Sequence, residues 1–527
     1  MSVGTAPAVL APPARPPRAT VRSWLALATL MLPVVLVSVD NTVLSFALPQ
    51  ISQHLEPTAA QQLWIIDAYP LVLAGLLVSM GTLGDRVGRR RMLLVGAVGF
   101  ALVSIVAAFA PSAAVLIGAR AALGFFGAMI MPATLSLLRS LFLDPDQRRL
   151  AIAVWASGFA AGSALGPLVG GILLAHFAWG SVFLLAVPVL VPLVILVPLL
   201  VPESKDPAPG RFDPLSIALS LVAMVAFVGG IKTVAEGAQV ALGIGLLVLG
   251  VLVGAGFVSR QLRRPDPMLD MSLFRRARFS TAVLVNLFSV ISLVGFLYVG
   301  SQHLQLVLGL SPVESGLVIL PGLVVMVVAG LVIVPIAKRV GPHLTIPLAL
   351  LASLGAYTMV ALGPEVMSAG YVMVAFALLG LGIGAAETVS NDLILAQAPV
   401  AKAGAASAVS ETAYELGAVL GTAVIGGALA ALYRGGIQLP AGLSPEAVAH
   451  ASETLAGATV EASRLPAGAG DALLASAQAA FESGVVVAAW IGVGLMLAAI
   501  ALAALTLRPA RGGTARVAAR AGANRGE

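Results

Sequence analysis

The stretch Gly81-Thr82-Leu83-Gly84-Asp85-Arg86-Val87-Gly88-Arg89-Arg90-Arg91-Met92-Leu93 is a tight charged elbow set between two long apolar runs. A helix ending inside a protein core has no use for such a cluster of acid and base. The elbow therefore marks the water face of a bundle that is otherwise oil. The whole chain agrees: over 527 residues it is 59% hydrophobic and only 10% charged, with a mean hydropathy of +1.01, far outside the range of soluble domains.

Working outward, the apolar runs are counted as membrane spans, because a hydrocarbon core of about 30 Å needs roughly 20 apolar residues per helix. Spans are expected near residues 25–47, 63–83, 92–110, 114–138, 151–175 and 180–201, then a pair near 215–231 and 240–258. Six more follow near 281–300, 315–337, 345–363, 370–392, 404–432 and 485–507. This is an all-α integral membrane protein with fourteen transmembrane helices. Short loops on the cytoplasmic side hold Lys and Arg. Of the 30 lysines and arginines, all but Lys232, Arg434 and Arg464, read as lying on the opposite face, and Arg120, inside a span, fall on one side with both termini. A missed or invented span would scramble that partition.

The organisation expected is a cytoplasmic leader over residues 1–21, a six-helix bundle over 22–201 and two inserted helices over 202–260. A second bundle covers 261–507, with a long outer loop at 433–484 read as surface loop with some short helix, and a basic cytoplasmic tail closes the chain at 508–527. The net charge of +6 is spread over inner loops without aromatic interleaving, so it reads as topology rather than nucleic-acid binding. With no cysteine and five scattered histidines, neither metal nor cofactor is implied. No catalytic constellation is visible, and no phosphate-binding Gly-Lys loop points to an ATP-driven pump.

The chain echoes itself. A shift of 255 residues lays Ala151, Ala153, Val154, Gly162, Gly166, Val169 and Gly171 on Ala406, Ala408, Val409, Gly417, Gly421, Val424 and Gly426; a shift of 253 lays Arg86-Val87-Gly88 on Arg339-Val340-Gly341. Two nearly equal offsets favour parallel repeats of six spans, with the middle pair as an insertion.

Charges within spans carry the mechanism, since each costs about 2.5–3.5 kcal/mol at mid-helix. Asp40 and Arg120 fall at similar depth, so a pair is feasible, either as a structural ion pair or as a proton-linked relay. Asp67, one turn into the second span beside Trp64 and Tyr69, reads as a cation contact at the mouth of a pathway or as a hydrated acid. Glu411 and Glu415 share a helical face, and their counterparts in the repeat are Ala156 and Ala160. Glu387 lies at a comparable depth on the neighbouring span, whereas Asp392 reads as an inner-rim acid in water. Gly158, Gly162, Gly166 and Gly170 recur every fourth residue and strip one face of the fifth span for close approach, with Pro167 as a bend. Ordinary packing and a moving interface both fit that stripe. For the elbow, simple anchoring and a conformation-specific latch both fit. Trp155, Phe159, Tyr298 and Tyr357 are candidate walls for a cationic ligand, or lipid-facing packing.

These motifs together resemble the fourteen-span drug:proton antiporter branch of the major facilitator superfamily, over nearly the whole chain. The elbow (Gly81, Gly84, Asp85, Arg86, Gly88, Arg89, Arg90) matches that superfamily's loop motif. Asp40-Asn41-Thr42-Val43 with Ala47-Leu48-Pro49 matches its first-span motif, and Arg120 with Gly124 its fourth-span motif. Gly162 to Gly166-Pro167 and Gly170-Gly171 match its antiporter motif. The resemblance implies the major facilitator fold, two six-helix bundles plus two additional helices. It also implies proton-coupled efflux of small lipophilic organic cations, drugs or antibiotics across a bacterial cytoplasmic membrane by a monomer in contact with lipid. Asp40, Asp67, Glu387, Glu411 and Glu415 would then be proton-coupling or substrate residues, and Arg120 a relay. With four lysines against twenty-six arginines, a GC-rich bacterial origin is expected, so a producer's exporter of one natural product is the alternative. A proton-driven nutrient importer would share the fold.

Overall fold

A computed structural model describes residues 18–205, 213–237, 239–265, 267, 269–363, 367–397 and 403–507. Most of the expected leader, the basic tail, Arg211 and Lys402 lie outside them. In chain order the helices are α1 (Val21–Leu55), α2 (Ala59–Val87), α3 (Arg89–Ala108), α4 (Ala113–Leu141), α5 (Pro145–His176), α6 (Ser181–Leu200), α7 (Pro214–Glu236), α8 (Val240–Arg263), α9 (Ala277–Gln302), α10 (Pro312–Val340), α11 (Pro342–Leu362) and α12 (Ala369–Gln397). Next, α13 runs over Ala403–Leu420 and continues through a π-helical stretch, Gly421–Gly426, into Gly427–Gly436. Two short helices, α14 (Pro445–Glu453) and α15 (Leu455–Arg464), precede α16 (Ala467–Thr506). Thirteen helices are long and apolar enough to cross a membrane among the described residues. The 32-residue α5, apolar over Leu165–His176, completes the fourteen.

The repeat is explicit in the packing. In the first bundle α1 packs on α5 and α6, α4 packs on α2 and α3, and α3 packs on α6. The second bundle repeats each contact: α9 on α13 and α16, α12 on α10 and α11, and α11 on α16. The bundles meet through α5 against α10 and α2 against α13, two contacts exchanged by the same repeat. Equivalent turns also match. Gly88, between α2 and α3, takes φ 123°, and Gly341, between α10 and α11, takes φ 88°. Both conformations disfavour any residue with a Cβ.

The inserted hairpin packs α7 against α8, and α7 against α2 and the end of α13. Asp213, capping α7, receives Arg260 and Arg264 from the end of α8 and hydrogen bonds from Ser216. Burial alone would raise its pKa. The bonds from Ser216 and Arg260 and the charge of Arg264 outweigh that and hold the carboxyl at about 2.

Two expectations are corrected. The segment 433–484 carries more helix than expected: besides the two short helices capped by Ser444 and Thr454, α13 runs on to Gly436 and α16 begins at Ala467. Side-chain caps and alanine-rich sequence make helix the cheaper state there. Lys232 is not in an outer loop either. The α7 helix runs to Glu236 and stops at Gly237 (φ 78°), which leaves Lys232 inside the bundle and 1% exposed.

Candidate functional site

Arg120 reaches from α4 toward α1 and α2. Its Nη1 lies 2.6 Å from Asp40 Oδ2, its Nε donates to the Ile65 carbonyl at 3.1 Å, and its guanidinium carbon stands 4.6 Å from the Tyr69 ring centroid. A cation in such surroundings is tolerable only because an anion, a carbonyl and an aromatic face surround it. Gly124, one turn along α4, makes the approach possible: a Cβ there would meet the Tyr69 carbonyl at 2.5 Å.

Two residues before Tyr69 on α2, Asp67 is 0% exposed, not hydrated at a mouth. Lys232 of α7 lies 2.8 Å from its Oδ2, and Thr422, in the π-helical stretch of α13, donates its hydroxyl to Oδ1. The inserted hairpin and both bundles therefore converge on one carboxylate. Sequence reading missed Lys232 by ending the seventh span at 231; Gly237 is the stop signal that would have retained it.

The second-bundle acids lie on the arginine side of that contact. Glu415 is seven residues before Thr422 on α13, about 10 Å along a helix. It is 3% exposed, and its Oε2 has no hydrogen-bond partner among the described residues. Glu411 and Glu387 are half-buried, and Asp392 is exposed. Tyr69 is within electrostatic reach of both Asp40 and Glu415, and Tyr414 of both Glu387 and Glu415. The structure thus pairs Asp40 with Arg120 directly and places Glu387, Glu411 and Glu415 in one electrostatic neighbourhood of the second bundle, with Glu415 in electrostatic reach of Tyr69 beside that pair. Beside it, Asn286 donates to Asn391 at 2.7 Å and Ser410 donates to the same oxygen at 2.6 Å. Sequence reading did not single out these uncharged residues.

The α5 glycines are divided between two neighbours. Gly158, Gly162, Gly166 and Gly170 face α1 within their own bundle, where a Cβ would meet Met31, Val35, Thr42 and Val43 respectively. Gly171 and Pro167 face α10 of the other bundle: a Cβ on Gly171 would meet Val313, and one on Gly316 would meet the Pro167 carbonyl. The four-residue stripe is internal packing, and the described glycine of α5 that meets the other bundle is Gly171, outside the stripe.

In the elbow, Asp85 pairs with Arg89 at 2.8 Å, and Arg89 donates to Ser204 Oγ at 3.2 Å. Glu203 caps α3, accepting the Arg90 and Arg91 amides at 3.0 and 3.3 Å, where a carboxylate is favoured by the helix dipole. Gly81 faces Pro132 and Gly84 faces Met92. These partners lie in the first bundle or just past the end of its last helix, α6, and Glu203 was not anticipated. Of the aromatics, Trp155 donates to Thr134 at 3.2 Å and Tyr357 to the Ser292 carbonyl. Tyr298 donates to Gln62 across the bundles at 3.3 Å. The Phe159 side chain lies outside the described residues. Among the described residues, no group of three or more histidines and acids is placed to hold a metal ion.

Two repeated six-helix bundles meeting across buried charges define a multi-pass membrane transport protein. The chain belongs to the Major Facilitator Superfamily, which it matches over residues 30–422. It is 53% identical to "Multidrug efflux pump LfrA" of Mycolicibacterium smegmatis, covering 93% of this chain and 97% of that one. It is 38% identical to "Methyl viologen resistance protein SmvA" of Salmonella typhimurium (87% and 93%) and 34% identical to "Tetracenomycin C resistance and export protein" of Streptomyces glaucescens (77% and 76%). Among solved structures it resembles a bacterial homologue of the human lysosomal transporter Spinster in an inward-facing, unoccupied conformation. The TM-score is 0.65 at 17% identity, covering 93% and 98% of the chains.

Proposed function

We propose that this protein is a proton-coupled efflux transporter that exports lipophilic cationic drugs or antibiotics across a bacterial cytoplasmic membrane by alternating access, with both termini in the cytoplasm. The observation that carries the reading is the buried carboxylate of Glu415, whose Oε2 has no hydrogen-bond partner among the described residues and which lies within electrostatic reach of Tyr69 of the first bundle. Without a counter-charge, such a group costs too much to keep unless a proton or a cationic cargo occupies it. The relatives' names support efflux and resistance, and the one-sided arginines support the orientation.

In this conformation the bundles close at the end bearing α14 and α15. Tyr298 bonds Gln62 there, Gln305 donates to the Phe46 carbonyl at 3.2 Å, and Glu453 accepts the Ala59 amide at 3.0 Å. Glu387 and Glu411, both half-buried, lie toward the opposite, arginine-bearing end, where an exporter would load from the cytoplasm. Asp40, Glu387, Glu411 and Glu415 share proton coupling and cargo contact, Arg120 relays between them, and the elbow is a cytoplasmic latch.

Energy explains why several acids are kept. Exchanging one proton for one monovalent cation moves no net charge, so one pH unit supplies about 1.4 kcal/mol, roughly tenfold accumulation. A second proton doubles that contribution and adds about 2.3 kcal/mol per 100 mV. The test is proton release from inside-out vesicles challenged with a panel of organic cations. Release by none of them, together with uptake against a gradient of a nutrient, would identify an importer instead. Export of a single natural product is the second reading, favoured by the Streptomyces relative that is named for one compound.

A further inference from the structure

The ammonium of Lys232 lies 2.8 Å from Asp67 Oδ2 and 4.0 Å from the Trp64 ring centroid. Trp64 and Asp67 are three residues apart on α2 and so share a face. The cation comes from a different element, α7. An indole face and a carboxylate converging on one ammonium form a receptor for that ion, through ring quadrupole and charge together. We propose that Trp64 and Asp67 form a binding site for the ammonium group of cargo, and that Lys232 is a tethered ammonium filling the site while the bundles are closed at this end. The proposal rests on the efflux reading and adds to it the charge group of the cargo and where that group docks.

The third partner gives the site its dependence on conformation. Thr422 belongs to the π-helical stretch of α13, and such stretches concentrate at functional positions. Its hydroxyl reaches Asp67 only across the closed interface. When the bundles part here, Thr422 leaves with α13, whereas Trp64 and Asp67 stay together on α2. Lys232, a point charge on a flexible four-carbon stem, then holds the carboxylate alone and competes with any ammonium admitted to the cleft. A plain structural staple between α7 and α2 has the same contacts but no receptor function. Removing the lysine separates the two.

The full-length protein in detergent is compared as wild type, Lys232→Ala and Lys232→Ala/Asp67→Asn, with propylammonium as the probe and propanol as the neutral control. Propylammonium is expected to raise the melting temperature of Lys232→Ala by roughly 2 °C or more, with no shift in the other two proteins or with propanol. Equal shifts in all three, or none in a folded Lys232→Ala, overturn the receptor. Should Lys232→Ala be recoverable only when purified in propylammonium, the site is filled as proposed. Should it be lost with and without the amine while the double variant folds, the proposal fails. For cargo, benzyltrimethylammonium is expected to bind Lys232→Ala roughly threefold or more tightly than wild type, because the internal competitor is gone; unchanged affinity removes the cargo role. None of these readouts is transport, so their failure leaves proton-coupled efflux standing, and failure of coupling leaves them readable.

Discussion

Asp40 of the first bundle and Glu415 of the second both lie within electrostatic reach of Tyr69, whose ring stands 4.6 Å from the Arg120 guanidinium. A charge change on either acid is therefore felt at the junction of the bundles.

Breaking the Asp40–Arg120 pair from one side leaves a buried charge without its partner, which costs about 3–5 kcal/mol. Arg120→Leu is accordingly expected to lower the melting temperature sharply, whereas Asp40→Asn/Arg120→Leu recovers most of the loss. If transport also returns in the stable double variant, the pair is scaffold. Continued loss of transport there assigns it a role in coupling.

Substitutions along the α5 glycines should fall into two kinds. Gly166→Leu forces side-chain atoms into Thr42 of the same bundle, so an overpacking loss of about 1–3 kcal/mol is expected in thermal melting. Gly171→Leu instead meets Val313 of the opposite bundle and should leave each bundle intact while blocking their closure. Its signature is near-normal melting with transport abolished, and normal transport by Gly171→Leu would remove this interface from the moving parts.

The inserted hairpin has its own acid titration. Because the Asp213 carboxyl titrates at about 2 when folded, against 3.8 ordinarily, its tie to Arg260 and Arg264 stabilises fully above pH about 4 and is lost as pH falls toward 2. Wild type should show a steeper fall in melting temperature between pH 4 and 2 than Asp213→Asn, which lacks the tie at every pH. Superimposable profiles in that window would contradict the assignment.

Much of the architecture was legible from composition and repeat. Membrane spans announce themselves by length, and Arg86-Val87-Gly88 and its echo at Arg339 to Gly341 marked equivalent turns, both built on a glycine with positive φ. The depth of Asp40 and Arg120 along their helices was enough to suggest their pairing. The boundaries at Lys232 and Ala467 were harder to place. Hydropathy falls at a lysine whether it faces water or a buried acid, and alanine-rich helix outside the membrane carries no apolar signal. The direction of the glycine stripe was also hidden, because period alone says that a face is bare and not which helix covers it. Asn286, Asn391 and Ser410 escaped notice because single uncharged polar residues are common in spans, and only their convergence makes them a group.

The central claim is that acids held among lipid-embedded helices exchange protons for cargo as the two bundles rock. Its most direct test is proton release from inside-out vesicles on addition of an organic cation. Wild type is compared with single amide variants of Asp40, Asp67, Glu387, Glu411 and Glu415 and with Glu411→Gln/Glu415→Gln. The account predicts stoichiometric release by wild type, a smaller proton count per cation in at least one single variant, and loss of release in the double variant. Cation export that proceeds at full rate, with its proton count unchanged, after all five carboxylates are neutralised together would contradict it.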